Sequence, residues 1–208
     1  MTLEKIQKTG TTTVGIICKD GIVLGADKRA SMDHLIADKR AIKIFKLTDN
    51  LVVTVAGLIS DIQMILKLAK AELELKRIRT KQLPTVKEAA NLFGNIVYQN
   101  IRKLSPIIGI SHFILAGKDS HGFALYDVSP DGTITERKDY ALSGAYGAII
   151  AYGILENEWK PSLDLEEARK LALKVLLTAI KRDSSVGNGV DIVIIDKKGV
   201  GKIKEEKI

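Results

Sequence analysis

Gly10-Thr11-Thr12-Thr13-Val14-Gly15-Ile16-Ile17-Cys18 opens an apolar, Thr-rich stretch that turns at Lys19-Asp20-Gly21 and returns as Ile22-Val23-Leu24-Gly25-Ala26. β-Branched residues on both sides of a short Asp-Gly turn predict a β-hairpin. Residues 41–47 and 51–56 flank Thr48-Asp49-Asn50 and predict a second one. Two helices are expected next. Ser60 is placed to cap a segment running to about Arg79, with Ile62, Ile65, Leu66, Ala69 and Leu73 on one face. After Pro84, Thr85-Val86-Lys87-Glu88 has the form of a capping box and opens a helix to about Leu104.

The pattern then repeats. Residues 112–117, 123–128 and, past the Asp131-Gly132 turn, 133–138 read as strands. Helices are expected over about 145–156 and over 165–181, the latter burying Leu171, Val175 and Ala179. A closing hairpin pairs 190–195 with 200–203 around Lys197-Lys198-Gly199. Strands, two helices, strands, two helices and strands are neither a βαβ alternation nor an all-β series. The order predicts an α+β chain with two antiparallel sheets face to face and helix layers outside. A chain of 208 residues suits one such domain, and only residues 1–10 read as detachable.

Composition narrows the function. With 46% hydrophobic and 27% charged residues the chain reads as a globular protein, and no run approaches the roughly 18 apolar residues of a membrane span. Met1-Thr2-Leu3-Glu4-Lys5-Ile6-Gln7-Lys8 lacks the apolar segment of a secretory signal. Cys18, the one cysteine, excludes a disulfide framework or a cysteine metal site, and a cytoplasmic location is expected. The net charge of +7 makes a nucleic-acid-binding domain a remote alternative. However, bases interleave with acids in Lys70-Ala71-Glu72-Leu73-Glu74-Leu75-Lys76-Arg77, and 5% aromatic residues give few stacking platforms. No nucleic acid is expected as partner; a basic surface facing an acidic subunit is.

Cleaving the Gly10–Thr11 bond would put a free α-amine and a hydroxyl on one residue. A threonine hydroxyl is a poor nucleophile without an adjacent base, and an N-terminal amine can be that base. A plain strand edge would also use three threonines. Asp27 ends the second strand in Gly25-Ala26-Asp27-Lys28-Arg29-Ala30-Ser31, Lys43 sits in Ala41-Ile42-Lys43-Ile44-Phe45, and Gly57 ends Val55-Ala56-Gly57. An inward Lys43 must be paired or shift its pKa, and a pair with Asp27 beside Thr11 would help the hydroxyl ionise. Gly57 could offer an N–H to an oxyanion, since no Cβ blocks the approach. Singly, a turn cap, a solvent-facing lysine and a turning glycine explain these residues.

Their order together carries the reading. Gly-Thr-Thr-Thr-Val-Gly, then Ala-Asp-Lys-Arg-Ala-Ser, Lys43, Val-Ala-Gly, and finally Arg182-Asp183-Ser184 before Val190-Asp191-Ile192-Val193 resembles the proteasome β-type subunits over residues 9–196. The resemblance implies the four-layer αββα fold of N-terminal-nucleophile hydrolases and a propeptide, residues 1–10, removed autocatalytically from the mature domain 11–208. It implies that Thr11 attacks, its amine shuttles the proton, Lys43 and Asp27 tune the nucleophile, Gly57 binds the oxyanion, and Asp183 helps hold the amine. Ala30, Ala41, Phe45, Val55 and Ile59 fall on its apolar substrate pocket. No metal or other cofactor is implied. The implied partners are α-type subunits, other β subunits in seven-membered rings, a regulatory ATPase acting through the α rings, and unfolded polypeptide as substrate.

Two positions depart from the family pattern, which pairs this aspartate with two serines around the amine. The serine expected three residues after Asp183 is Val186, and neighbouring Ser184 and Ser185 are expected to point elsewhere. Ungapped alignment on Tyr152-Gly153-Ile154-Leu155-Glu156 puts Tyr146 at the other; a gapped register would use Ser143. Two functions therefore stand at this stage: an active threonine endopeptidase, or a silent structural β subunit beside an active sister.

Overall fold

The predicted first hairpin forms as β1 (Thr12–Cys18) and β2 (Gly21–Asp27), with Val14, Ile16, Val23 and Leu24 wholly buried. The computed structural model describes residues 10–144 and 146–206; residues 1–9, and so nearly all of the expected propeptide, lie outside the described residues. A short pair, β3 (Ala30–Met32) and β4 (Leu35–Asp38), follows and was not anticipated, because its second strand is fully exposed and carries no buried alternation. β5 is shorter than expected, Ile44–Lys46, and turns into β6 (Leu51–Gly57).

Helix α1 (Ile59–Thr80) buries the expected face, but Ser60 is not its cap: the N-cap is Leu58 and no side chain caps it. Helix α2 (Val86–Arg102) begins with the expected box, Thr85 and Glu88 satisfying each other's backbone. Four strands come next: β7 (Ser111–Asp119), β8 (Gly122–Val128), β9 (Ile134–Arg137) and β10 (Tyr140–Gly144). Helices α3 (Tyr146–Glu158) and α4 (Leu165–Arg182) then precede β11 (Val190–Asp196), β12 (Gly199–Val200) and β13 (Lys204–Glu206). The start of α4 carries a second capping box, Asp164 with Glu167.

One sheet runs β10-β1-β2-β11-β12, with β13 also on β11; the other runs β5-β6-β7-β8-β9. Every pairing within the two is antiparallel. Three apolar layers hold the stack together. Leu51, Val53, Phe113 and Leu115 of the second sheet pack on Ile65, Ala69, Phe93 and Val97 of α1 and α2. Val14, Ile16 and Ile192 of the first sheet pack on Leu155, Leu171 and Val175 of α3 and α4. Between the sheets lie Ile22, Leu24, Val52, Ile114 and Val193. This is the αββα sandwich, and it follows from strands whose two faces are both apolar: each sheet must be covered on both sides.

Candidate active site

β1 lies between β10 and β2, so its first residues are fixed from both sides: Thr12 faces Gly144, and Thr13 faces Ser143 and Ala26. Thr13 is also tied to the opposite sheet, where Thr54 Oγ1 donates to its Oγ1 at 3.0 Å. Thr11, just ahead of β1, is buried, and its Oγ1 donates to the Gly10 carbonyl at 2.7 Å.

Asp27, the last residue of β2, is the hub beneath it. Its Oδ1 accepts from the Thr12 N–H at 3.0 Å and from Lys43 Nζ at 2.7 Å. Its Oδ2 accepts from the N–H groups of Arg29 and Gly187, each at 3.0 Å. Asp27 and Lys43 are 1% and 5% exposed, so the structure brings together the pair expected beside Thr11. A buried ion pair is tolerable only when its remaining hydrogen-bonding capacity is met, and the three backbone donors do this for Asp27. Burial lowers the Lys43 pKa; Asp27 opposes that effect and the charge of Arg29 adds to it. The ammonium thus projects positive field into a site little screened by water.

Asp183 caps the end of α4 and ties three elements together. Its N–H donates to Ala179 O, and its Oδ2 accepts from the Gly147 N–H at 2.9 Å, at the start of α3. Its Oδ1 accepts from both the N–H and the hydroxyl of Ser185. The expectation that Ser185 points elsewhere is therefore wrong. The loop turns through Asn188 at φ 63°, and Val186 takes the inward, buried place while Ser185 faces Asp183. Tyr146, rather than Ser143, immediately precedes the amide held by Asp183, but the Tyr146 side chain lies outside the described residues. Ser143 sits within β10, its buried Oγ without a hydrogen-bond partner among the described residues.

The 183–189 loop is stitched to the β2–β3 connection. Arg29 donates from Nε to Asn188 Oδ1 at 2.7 Å and from Nη1 to Ser184 O at 2.6 Å, and Ser31 Oγ donates to Ser185 O at 2.8 Å. None of Arg29, Ser31, Ser185, Gly187 and Asn188 was singled out from the sequence as part of the site. The signal for the loop was present in Gly187-Asn188-Gly189, a composition suited to turns with positive φ, but its contact with residues 29–31 depends on the sheet bringing β2 beside β11.

The glycines fit closely. A Cβ on Gly10 would lie 2.0 Å from both Cβ and Oγ of Ser185. Gly57, at the end of β6, has φ 127°, and a Cβ there would lie 2.2 Å from Ile110 O. Of the expected pocket residues, Ala30 and Val55 are buried, Ala41 and Phe45 half-buried and Ile59 exposed. The Ala41 N–H donates to Lys28 O and the Val55 N–H to Lys43 O, which keeps Ala41 and Val55 close in the chain to the Asp27–Lys43 pair. Phe45 and Val55 contribute to the core beneath α1 and α2.

Residues 7–195 match the family described as "Proteasome subunit". The chain belongs to the proteasome subunit family. Among its β-type relatives, "Proteasome subunit beta" of Ferroglobus placidus is 38% identical over 205 residues, 99% of this chain and 95% of the relative. Its namesake in Methanocaldococcus vulcanius is 40% identical over 200 residues, 96% and 87% of the two chains. That of Nanoarchaeum equitans is 41% identical over 194 residues, 93% and 96%. The chain is thus a β-type subunit of the proteasome core, in a family of threonine proteases whose α and β subunits assemble in rings. No described helix is long and apolar enough to cross a membrane.

Proposed function

We propose that this proteasome β subunit is itself a threonine endopeptidase, matured by cleavage of its own Gly10–Thr11 bond. The observation that carries the reading is Thr11 Oγ1 resting on the Gly10 carbonyl, while the N–H of the next residue, Thr12, is held by Asp27 of the buried Asp27–Lys43 pair. In maturation, Thr11 Oγ attacks the Gly10 carbonyl carbon, the C–N bond breaks and an ester forms. Water then hydrolyses that ester, leaving a carboxylate on Gly10 and a free amine on Thr11. In turnover the amine takes the hydroxyl proton as Oγ attacks a substrate carbonyl, then passes it to the leaving amine; water releases the acyl group and restores the site. Lys43 stabilises the developing alkoxide, Asp27 holds Lys43, the Gly57 N–H receives the oxyanion, and Asp183 orients the Thr11 amine.

The rest of the proposal concerns context. Residues 1–10 are the propeptide and 11–208 the working domain, set in seven-membered β rings against α-type subunits. Unfolded polypeptide is the substrate, a regulatory ATPase feeds it through the α rings, and the particle is cytoplasmic. The lining expected from Ala30, Ala41, Phe45, Val55 and Ile59 offers no acidic group, so cleavage after apolar residues is favoured over cleavage after Arg or Lys.

The test uses assembled particles in which every other β subunit is inactivated. Their intact mass should show a chain beginning at Thr11, and a fluorogenic peptide panel should show faster cleavage after Leu, Phe or Tyr than after Arg or Lys, abolished by Thr11→Ala. Val186, which puts a buried methyl-bearing side chain where the family pattern has a hydroxyl, favours the second reading, a silent structural subunit. Particles retaining Gly10 and showing no turnover would establish that one instead.

A further inference from the structure

We infer that Ser185 supplies the hydroxyl that Val186 cannot, as a positioning residue acting on the Thr11 amine through Asp183. The inference rests on the endopeptidase reading above. Ser185 lies two residues past Asp183, and three contacts fix its direction. Its N–H and Oγ both bind Asp183 Oδ1, and its carbonyl accepts from the Ser31 hydroxyl. Its side chain abuts Gly10, the residue whose carbonyl Thr11 Oγ1 touches.

The surroundings leave this loop little freedom. Arg29 holds the carbonyl of Ser184 and the side chain of Asn188 on either side of it. Gly187 donates to Asp27, and a Cβ there would lie 2.6 Å from an Arg29 guanidinium nitrogen and push that group aside. Val186, 1% exposed, anchors the loop inward. A hydroxyl at 186 has thus been exchanged for an apolar anchor, while the neighbouring hydroxyl faces both Asp183 and the bond that becomes the N-terminus. Removal of residues 1–10 would take Gly10 away from Ser185 and turn the next N–H along the chain, that of Thr11, into a free amine.

The chemical consequence is specific. A hydroxyl donating to Asp183 takes up part of that carboxylate's charge, leaving less to bind the proton of the Thr11 ammonium. Without it the ammonium is held more tightly and the free-base amine needed for catalysis forms only at higher pH. The other charged groups around the start of β1 are Asp27 on β2, Lys43 ahead of β5 and Arg29 after β2, and all three are unchanged in the variants that test this.

The experiment measures kcat, KM and the pH profile of kcat/KM on an apolar fluorogenic peptide, in particles whose other β subunits are inactive. Ser185→Ala should lower kcat about tenfold or more with KM within about twofold of wild type, and should move the acid limb to higher pH. Ser185→Thr should keep wild-type behaviour, and Ser185→Ala with Val186→Ser should recover most of the loss. If Ser185→Ala fails to assemble, Ser185→Cys keeps the volume with a weaker donor and must show the same kcat loss and pH shift. A Ser185→Ala particle with wild-type kcat and pH profile, still dependent on Thr11, overturns the inference and leaves the endopeptidase reading standing. Wild-type turnover no greater than that of Thr11→Ala overturns that reading, and this one with it.

Discussion

At the scale of single residues, Gly10 leaves no room for a side chain. A methyl group there would enter the space of the Ser185 side chain and approach its carbonyl oxygen to 2.6 Å. Gly10→Ala should therefore slow maturation by an order of magnitude or more, seen as persistence of the precursor mass in assembled particles. Gly10→Ala combined with Ser185→Gly should relieve the block only in part, because the carbonyl oxygen of residue 185 stays in the way. Lys43→Ala should abolish turnover and also leave Asp27 buried without its cation, a loss of about 3–5 kcal/mol that thermal unfolding of the chain would register. The Asp27–Lys43 pair was legible because side-chain type and chain order point to it. Ser185 was not, because which of two adjacent side chains points inward is set by the turn at Gly187-Asn188-Gly189 and by Arg29 reaching across from another strand. Tyr146 has its own test: if its hydrogen-bonding capacity limits the site, Tyr146→Ser should raise turnover about tenfold, and no change would assign that role to Ser143 or a water.

Among the elements, the strands with two apolar faces and the helices with capping boxes were readable from the sequence. What escaped were β3, β4, β10 and β13, short strands whose existence depends on a partner: β10 on β1, β13 on β11. Ser60 misled because α1 starts two residues earlier than a Ser60 cap would set it, after Leu58, with no side chain capping it. Three strands share one polar knot, in which Asp127 of β8 binds His112 Nε2 of β7 at 2.6 Å and Arg137 of β9 at 3.1 Å. Burial alone would raise the Asp127 pKa, but His112 and Arg137 outweigh it and hold it below the ordinary carboxylate value. A depressed carboxylate contributes stability that is fully present above its unfolded value, near pH 4, and is lost as pH falls through the lower folded one. Acid unfolding followed by circular dichroism should steepen below about pH 4. Asp127→Asn should cost about 1–3 kcal/mol at neutral pH and flatten that acid limb.

For the whole molecule, the net charge of +7 and the family's ring assembly set the expectations. The chain expressed alone should elute as small or incomplete assemblies with little peptidase activity. Its docking to more acidic neighbours should weaken as salt rises, which size-exclusion chromatography across a salt series would reveal; a fully active stable monomer would contradict this. The seating of Gly10 and Thr11 also sets an expectation for the kinetics of the proposed maturation. Both residues are buried, and Thr11 already touches the carbonyl of its own chain. If the bond is cut as proposed, its burial among the described residues makes the cut internal to each subunit. Once particles are assembled, precursor should disappear with a first-order half-life that is the same at high dilution as at high concentration, and added mature particles should not shorten it.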